Sequence, residues 1–343
     1  MARRTGLSIK KCYPHILNGL LSILLWAILV SIAHADTNTS DTKAFGRFAD
    51  QMASRHGFDA REIEHLLAQS ARQDDILTAI AKPAEALPWH RYRPIFLQQS
   101  RIRQGVTFWE QNQVVLERAA QQYGVPPQII VAILGVETRY GRYRGKHRVI
   151  DALRTLAFDY PPRSKFFRSE LEQYLLLSRE EGFDPLQPKG SYAGAMGIPQ
   201  FISSSYRVYA VDFNRDGHRD LWDQPEDAIG SVANYFRKHG WRHSENVAVP
   251  ANVATELPRR QAARQLKADS SVAELRKRGV VPKHTLSAEQ PAGLVILEGK
   301  EGPEYWVGLP NFYVITRYNH SALYAMAVYQ LSRAISQRHE TGR

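Results

Sequence analysis

Residues Ile129–Gly141 read IIVAILGVETRYG, and almost everything ahead of Glu137 in that run is apolar. Pro126 and Pro127 precede it and suit the first turn of a helix, where a missing N–H costs nothing. On such a helix Ile130, Ile133 and Leu134 lie seven, four and three residues before Glu137, which places all four side chains on one face. The apolar stripe therefore ends in a carboxylic acid directed at the interior or at a cleft. Desolvation disfavours a carboxylate, so the pKa there is expected to rise. An acid that keeps its proton near neutral pH is what general-acid chemistry needs. The competing reading is structural: Glu137 pairs with Arg139 or Arg142 and secures the helix end.

Outward from this helix, the chain is helical in pattern from about Lys43 to Gln122. Asp59 and Glu62 have capping-box spacing ahead of Ile63, Leu66 and Leu67, and Pro83, Pro88 and Pro94 break the middle. Further helical patterns cover Val114–Gln122, Gln128–Arg139, Ser164–Glu181 and Ala228–His239. After Trp241 the composition shifts. Val247–Val249, Gly293–Leu297, Tyr305–Leu309 and Phe312–Thr316 read as extended, with a short helix at Ala273–Arg278 among them. Residues 320–338 return to helix. A strand-rich lobe set between helical parts predicts an α+β protein, mostly α.

The N-terminus reads as an export signal. Arg3, Arg4, Lys10 and Lys11 precede an apolar run from Ile16 to Ala33, and Ala33-His34-Ala35 fits a cleavage site with Asp36 as the mature start. An uncleaved membrane anchor is the alternative, which Asn18, Gly19 and Ser22 weaken. Cys12 is the only cysteine and lies inside this segment, so the mature chain has neither a disulfide nor a thiol nucleophile. Removing residues 1–35, with four Lys/Arg and no Asp/Glu, lowers the formal charge from +11 to +7. An exported basic protein suits an anionic wall polymer or membrane surface; export and the lack of a nucleic-acid motif argue against nucleic acid.

Two loops stand out. Asp212-Phe-Asn214-Arg-Asp216-Gly217-His218-Arg-Asp220-Leu-Trp-Asp223 follows the EF-hand calcium pattern, with oxygen ligands at positions 1, 3 and 5, a glycine at 6 and the His218 carbonyl at 7. Position 12 is Asp223 instead of the usual Glu, and Glu226 and Asp227 lie close enough to close a longer loop. An Asp/Asn-rich surface turn is the simpler alternative. The second loop, Gly190–Phe201, packs small residues between Ser191 and Gln200, leaving room for a ligand to approach the backbone; a tight packing turn would look the same. Tyr and Trp crowd the C-terminal part, where most are expected in the core and a few along a sugar-binding groove.

The ordered set ILGVETRYGRYRG, SYAGAMGIPQF, VDFNRDGHRDLWD, AIGSVANYF and NFYVITRYNHS resembles the family of membrane-bound lytic murein transglycosylase B and its soluble relatives. The resemblance runs from about Phe45 to the C-terminal helix. It implies a lysozyme-like helical core with a flanking α-domain and a small β-rich domain. On this chain that gives a signal peptide at 1–35, an α-domain at 36–125, a catalytic core at 126–244, a β-rich domain at 245–317 and a helix returning to the core at 318–343. It implies cleavage of the β-1,4 bond between N-acetylmuramic acid and N-acetylglucosamine in peptidoglycan, with 1,6-anhydromuramoyl products. Glu137 then corresponds to a single catalytic acid/base. Tyr92, Arg163, Ser191, Gln200, Tyr235, Tyr318, Asn319 and Tyr324 fall where the family has substrate-groove residues. Asp212, Asn214, Asp216, the carbonyl of His218 and Asp227 match its calcium loop. The implied cofactor is a structural Ca2+ with no organic group, and the implied partners are glycan strands and other cell-wall enzymes, met by a periplasmic monomer.

The chain also departs from the family. It lacks a lipidation cysteine. Pro162-Arg163 stands where close relatives have two arginines, and Pro199-Gln200-Phe201 where Gly-Gln-Phe is usual. One extra residue lies between Trp222 and Asp227. No second carboxylate is identifiable for an ordinary retaining mechanism. A hydrolytic muramidase and a non-catalytic, calcium-stabilised wall-binding protein are the rival functions.

Overall fold

The computed structural model describes residues 43–81, 87–254 and 266–342. The export signal at 1–35 with Cys12, the polar leader at 37–42 and Pro83 lie outside the described residues. The chain forms two compact units, Met1–Gln69 and Ser70–Arg343, and this boundary falls within the 36–125 segment. The described part of the first unit is a helix over residues 43–56 (α1) and α2, Ala60–Gln69. Asp59 starts α2 by accepting the Arg61 N–H at 2.7 Å, and Ile63 and Leu67 are buried as their spacing predicts.

In the second unit, α3 (Asp74–Ile80), α4 (Trp89–Phe96), α5 (Gln99–Gln111) and α6 (Gln113–Tyr123) lead to α7, Pro127–Thr138. Helix α7 is buried on every side from Ile129 to Gly135, not along one stripe only. Helices α5, α6, α11 (Pro225–Lys238) and α14 (Ala322–Thr341) pack around it. The approach of α5 to α7 depends on two glycines. A Cβ on Gly105 or Gly135 would sit 2.5 or 2.6 Å from the Tyr140 hydroxyl, whose ring fills the space between the helices. Helices α8 (Val149–Phe158) and α9 (Ser164–Glu181) pair beside this core, and α10 (Ser203–Tyr209) packs on α9. A short antiparallel pair, β1 (His147–Arg148) with β2 (Lys189–Gly190), ties the end of the α7 turn to the small-residue loop.

Between α11 and the last two helices lies an antiparallel sheet of order β4-β6-β7-β3-β5. Its strands are β3 (Ala248–Val253), β4 (Ser270–Ser271), β5 (Val280–Pro282), β6 (Pro291–Glu298) and β7 (Pro303–Gly308). Residues Val249, Leu275, Val280, Val307 and Leu309 form its own core under α12 (Val272–Lys277), which starts in a complete Ser271–Glu274 capping box. The class is thus α+β and mostly helical.

One expectation fails here. Phe312–Thr316, read as extended, belongs to helix α13, Pro310–Tyr318. Pro310 occupies the first turn, Asn311 pins that turn to the backbone of Arg242 and Glu245, and every residue from Asn311 to Thr316 is buried. Continuous burial removes the alternation that would mark a strand, and packing overrides the strand-type composition. The chain therefore re-enters the helical part at Pro310, ahead of the expected residue 318.

Candidate active site

Glu137 occupies the last turn of α7, so the geometry of that helix end sets the direction of its carboxyl. The helix closes with Arg139 and Tyr140 both left-handed, at φ 53° and 62°, and with the Tyr140 N–H on the Leu134 carbonyl at 3.0 Å. Tyr140 then folds back to donate to the Arg101 carbonyl at 2.9 Å, while the Arg101 guanidinium caps the Gly135 carbonyl at 3.1 Å. The left-handed turn carries Arg139 away from the acid. Its guanidinium binds Gln104 at 2.7 Å and Ser100 at 2.8 Å. Among the described residues Glu137 has no ion-pair partner, and Arg139 in particular is turned away from it.

The residue as a whole is half-buried, but its carboxyl is enclosed. Burial pushes its pKa up to about 7, opposed by a hydrogen bond from Tyr324, whose hydroxyl donates to Oε1 at 2.5 Å. Among the described residues no other carboxylate contributes to the shift. Tyr324 stacks on Tyr318, with ring centres 6.5 Å apart and planes 10° from parallel. Both phenols are held well above their usual pKa, chiefly by burial, so both stay protonated donors. Tyr318 donates to the Pro199 carbonyl at 2.6 Å and meets Tyr235 edge-on; the Tyr235 hydroxyl is taken by the Arg317 carbonyl at 2.6 Å. Tyr92 on α4 is buried near enough to Tyr324 to act on its ionisation.

The structure thus brings Tyr92, Tyr235, Tyr318 and Tyr324 together with Glu137, and among the described residues gives only Tyr324 a direct side-chain bond to the acid. Asn319 is exposed at the end of α13, with its carbonyl accepting from Ser321 at 2.7 Å. Arg163 stands apart, its guanidinium 4.3 Å over the exposed Phe166 ring on the 3-10 turn before α9. Ser191 braces its own loop by accepting the Ala193 and Ala195 N–H groups at 3.3 and 3.0 Å. Gln200 is left-handed, at φ 54°, and its amide nitrogen donates to the carbonyls of Gly197 at 2.9 Å and Arg144 at 3.3 Å. The sequence reading missed Arg101, Thr138, Tyr140 and Arg144. Only the short spacing of polar residues with Gly141 after Glu137 hinted at a constrained helix end.

The acidic loop is folded as its spacing predicts. Asp212 accepts the N–H groups of Arg215, Asp216 and Gly217 at 2.6, 3.1 and 2.9 Å, the inward wrap of an EF-hand first position. Of the three candidates for the closing position, Asp223 turns out to Arg144 at 2.8 Å and Glu226 to Arg118 at 3.5 Å. Asp227 alone turns in. It is fully buried and accepts from Phe213, Asn214 and Asp220 at 2.7, 3.3 and 2.8 Å. Burial raises its pKa and the nearby Asp212 charge adds to the rise, a cost that a bound cation would offset. The donors Asp212, Asn214 and Asp216 are all hard oxygen groups, the chemistry that suits calcium. Among the described residues no three His, Cys, Asp or Glu side chains already stand as a metal cluster, so the site would also use the Asn214 amide, the His218 carbonyl and water. The residues fit the ion on donor chemistry.

Comparison with known proteins places this geometry. Residues 40–333 match the family described as "Transglycosylase SLT domain". The chain is 49% identical over 301 residues to membrane-bound lytic murein transglycosylase B of Escherichia coli K12, covering 84% of this chain and 82% of that one. It is similar to the crystal structure of soluble lytic transglycosylase SltB1 from Pseudomonas aeruginosa, with 50% identity, a TM-score of 0.82, and coverage of 88% of this chain and 100% of that one. It is similar also to Escherichia coli lytic transglycosylase Slt35 in complex with calcium, at 48% identity and a TM-score of 0.80, covering 88% and 94% of the two chains. The motif order, the helical core around a buried acid and the length of these matches lead to one conclusion: the chain belongs to the transglycosylase SLT-domain family.

Proposed function

We propose that this protein is a lytic transglycosylase of peptidoglycan, cutting the β-1,4 bond between N-acetylmuramic acid and N-acetylglucosamine with Glu137 as the only acid/base. The observation that carries this reading is the enclosed Glu137 carboxyl, with a pKa of about 7 and a single phenol donor. At neutral pH a substantial fraction holds a proton for the glycosidic oxygen. As that proton moves, the C1–O bond breaks and positive charge grows on the muramoyl ring. The resulting Glu137 carboxylate, steadied by Tyr324, then takes the proton of the muramoyl 6-hydroxyl while O6 closes onto C1. The proton count balances, no water is consumed, and the product ends in a 1,6-anhydro ring. An internal nucleophile gains from proximity, so no activated water is required. A retaining hydrolase would need a second carboxylate about 5 Å away, and among the described residues none acts on Glu137.

Tyr92, Tyr235, Tyr318 and Asn319 are proposed to shape the groove around the bond, and Ser191, Gln200 and Arg163 to meet the sugars beyond it. A Ca2+ held by Asp212, Asn214, Asp216, the His218 carbonyl and Asp227 is proposed to stiffen the loop; it supplies no chemistry to the sugar. A cleaved signal and a periplasmic, monomeric protein complete the reading. Mass spectrometry of sacculi digested by the purified protein tests it. Muropeptides lighter by one water than reducing-end products support the transglycosylase. Reducing ends alone would establish a muramidase, and binding without release a wall-binding protein.

A further inference from the structure

Thr138 follows Glu137 directly and is 1% exposed, yet its hydroxyl serves neither solvent nor sugar. Oγ1 donates to the Ile198 carbonyl at 2.8 Å and accepts the Gly141 N–H at 2.9 Å; the Leu134 carbonyl lies farther off at 3.3 Å. The next carbonyl along, that of Pro199, accepts from Tyr318 at 2.6 Å. Tyr318 stacks on Tyr324, and Tyr324 donates to Glu137. These contacts form a closed ring: Glu137 and Thr138 by the chain, Thr138 to Ile198, Pro199 to Tyr318, Tyr318 against Tyr324, and Tyr324 back to Glu137.

The segment Ile198–Gln200 is the strap of this ring, and its other side is tied to the acidic loop. The Ile198 N–H donates to the Leu221 carbonyl at 2.7 Å. The Gln200 amide reaches the Arg144 carbonyl, and the Arg144 guanidinium binds the Trp222 carbonyl and Asp223. The strap is therefore held firmly on one side and holds the acid on the other. Among the described residues its one hydrogen bond to α7 is that of the Thr138 hydroxyl.

We propose that Thr138 is a positioning residue for the reaction: through Ile198 it fixes the last turn of α7 so that the Glu137 carboxyl stays aligned with Tyr324 and shielded from water. The titratable groups near the carboxyl are Tyr324 from α14 and Tyr318 from α13, with Tyr92 of α4 next to Tyr324; Arg139 is turned to Gln104 and Ser100. Loosening the turn admits water to the carboxyl and lowers its proton affinity. This inference rests on the assignment of Glu137 as the acid.

The test compares Thr138→Val, which keeps the shape and removes the hydroxyl, with Thr138→Ser, which keeps the hydroxyl. kcat, KM and the pH profile are measured on purified peptidoglycan, beside the thermal midpoint. Thr138→Val is expected to lower kcat by about 10- to 100-fold, a misaligned acid losing part of the roughly 10²- to 10⁴-fold that general acid–base catalysis supplies, with KM nearly unchanged and the descending pH limb displaced toward acid. Thr138→Ser is expected to restore kcat and the limb. A Thr138→Val protein with a lowered midpoint but unaltered kcat and pH limb would overturn the proposal. If Thr138→Val does not fold, Tyr318→Phe opens the ring at its far side, and an unaltered kcat and limb there overturns it equally. Glu137→Gln is measured alongside. Activity in that variant refutes the assignment of the acid itself, which separates the two failures.

Discussion

The Tyr324 hydroxyl lies 2.5 Å from Glu137 Oε1, joining α14 to α7 across 187 residues of sequence. A phenol held far above its ordinary pKa keeps its proton and so always has a hydroxyl to donate to the acid. Tyr324 therefore favours the charged form of Glu137 while burial favours the neutral form, and burial wins. Removing the phenol should tip the balance further. In Tyr324→Phe the descending limb of the pH–activity profile is expected to move to higher pH, with a lower kcat because the carboxylate formed during reaction loses its donor. A limb that stays in place would show that the bond does not act on the titrating acid.

Glu137→Gln is expected to fold and to lose activity by about a thousandfold or more, the scale of a general acid that also acts as base. Release of soluble muropeptides from sacculi, beside a circular dichroism spectrum, checks both halves.

The same acid sets a pH dependence of stability. Its folded pKa, about 7, is raised above the ordinary 4.5. Between those values the folded state holds a proton that the unfolded chain has released, so stability falls as pH rises through the interval. The stabilisation is fully present below the unfolded pKa and is lost above about 7, and amounts to about 3 kcal/mol at most. Glu137→Gln cannot titrate and should flatten that part of the curve. Urea unfolding at pH 5 and pH 8 for both proteins measures the difference.

Calcium should raise the thermal midpoint. At a hundredfold excess over its Kd a ligand adds about 2.7 kcal/mol, which for a chain of this size is about 4 °C. Asp212→Asn keeps much of the loop's hydrogen bonding and should abolish the calcium-dependent part. Asp227→Asn should cost about 1–3 kcal/mol even without calcium, because three backbone N–H groups converge on that buried carboxylate. Scanning calorimetry with EDTA and with added calcium distinguishes the two variants.

Gly145 and Gly57 offer a control pair for the loop that carries Ser191. Both are left-handed, at φ 97° and 67°. A Cβ on Gly145 would collide with the Gly190 carbonyl, whereas one on Gly57 meets open space. Gly145→Ala is therefore expected to cost more than about 3 kcal/mol and Gly57→Ala about 1 kcal/mol, read from thermal unfolding.

Much of this was legible in the sequence because the signals were local. Helix α9 starts at Ser164 and ends at Glu181, where its pattern does, and the loop offsets of Asp212 and Gly217 reproduce an inward wrap. Helix α8 left no pattern, since Val149–Ala157 is buried throughout and a helix buried all round has no polar face to mark its period. Phe312–Thr316 misled for the same reason. In the site, Glu137 was marked by being the one acid in an apolar run. The bond from Tyr324 was not visible, because nothing in a linear chain says which of several tyrosines meets it. Nor could spacing show that the hydroxyls of Tyr235 and Tyr318 are spent on backbone carbonyls, or that Arg163 covers Phe166 apart from the acid.

The sheet ends in β4 and β5, strands of two and three residues, and the second finishes at Pro282. A border this short offers few free amides and carbonyls for a foreign strand to copy. For a protein expected to work among crowded polymers outside the cytoplasm, the consequence is resistance to edge-to-edge aggregation. Among the described residues the two border strands give a companion strand at most three residues each to extend, so a companion that meets those borders meets mainly side chains.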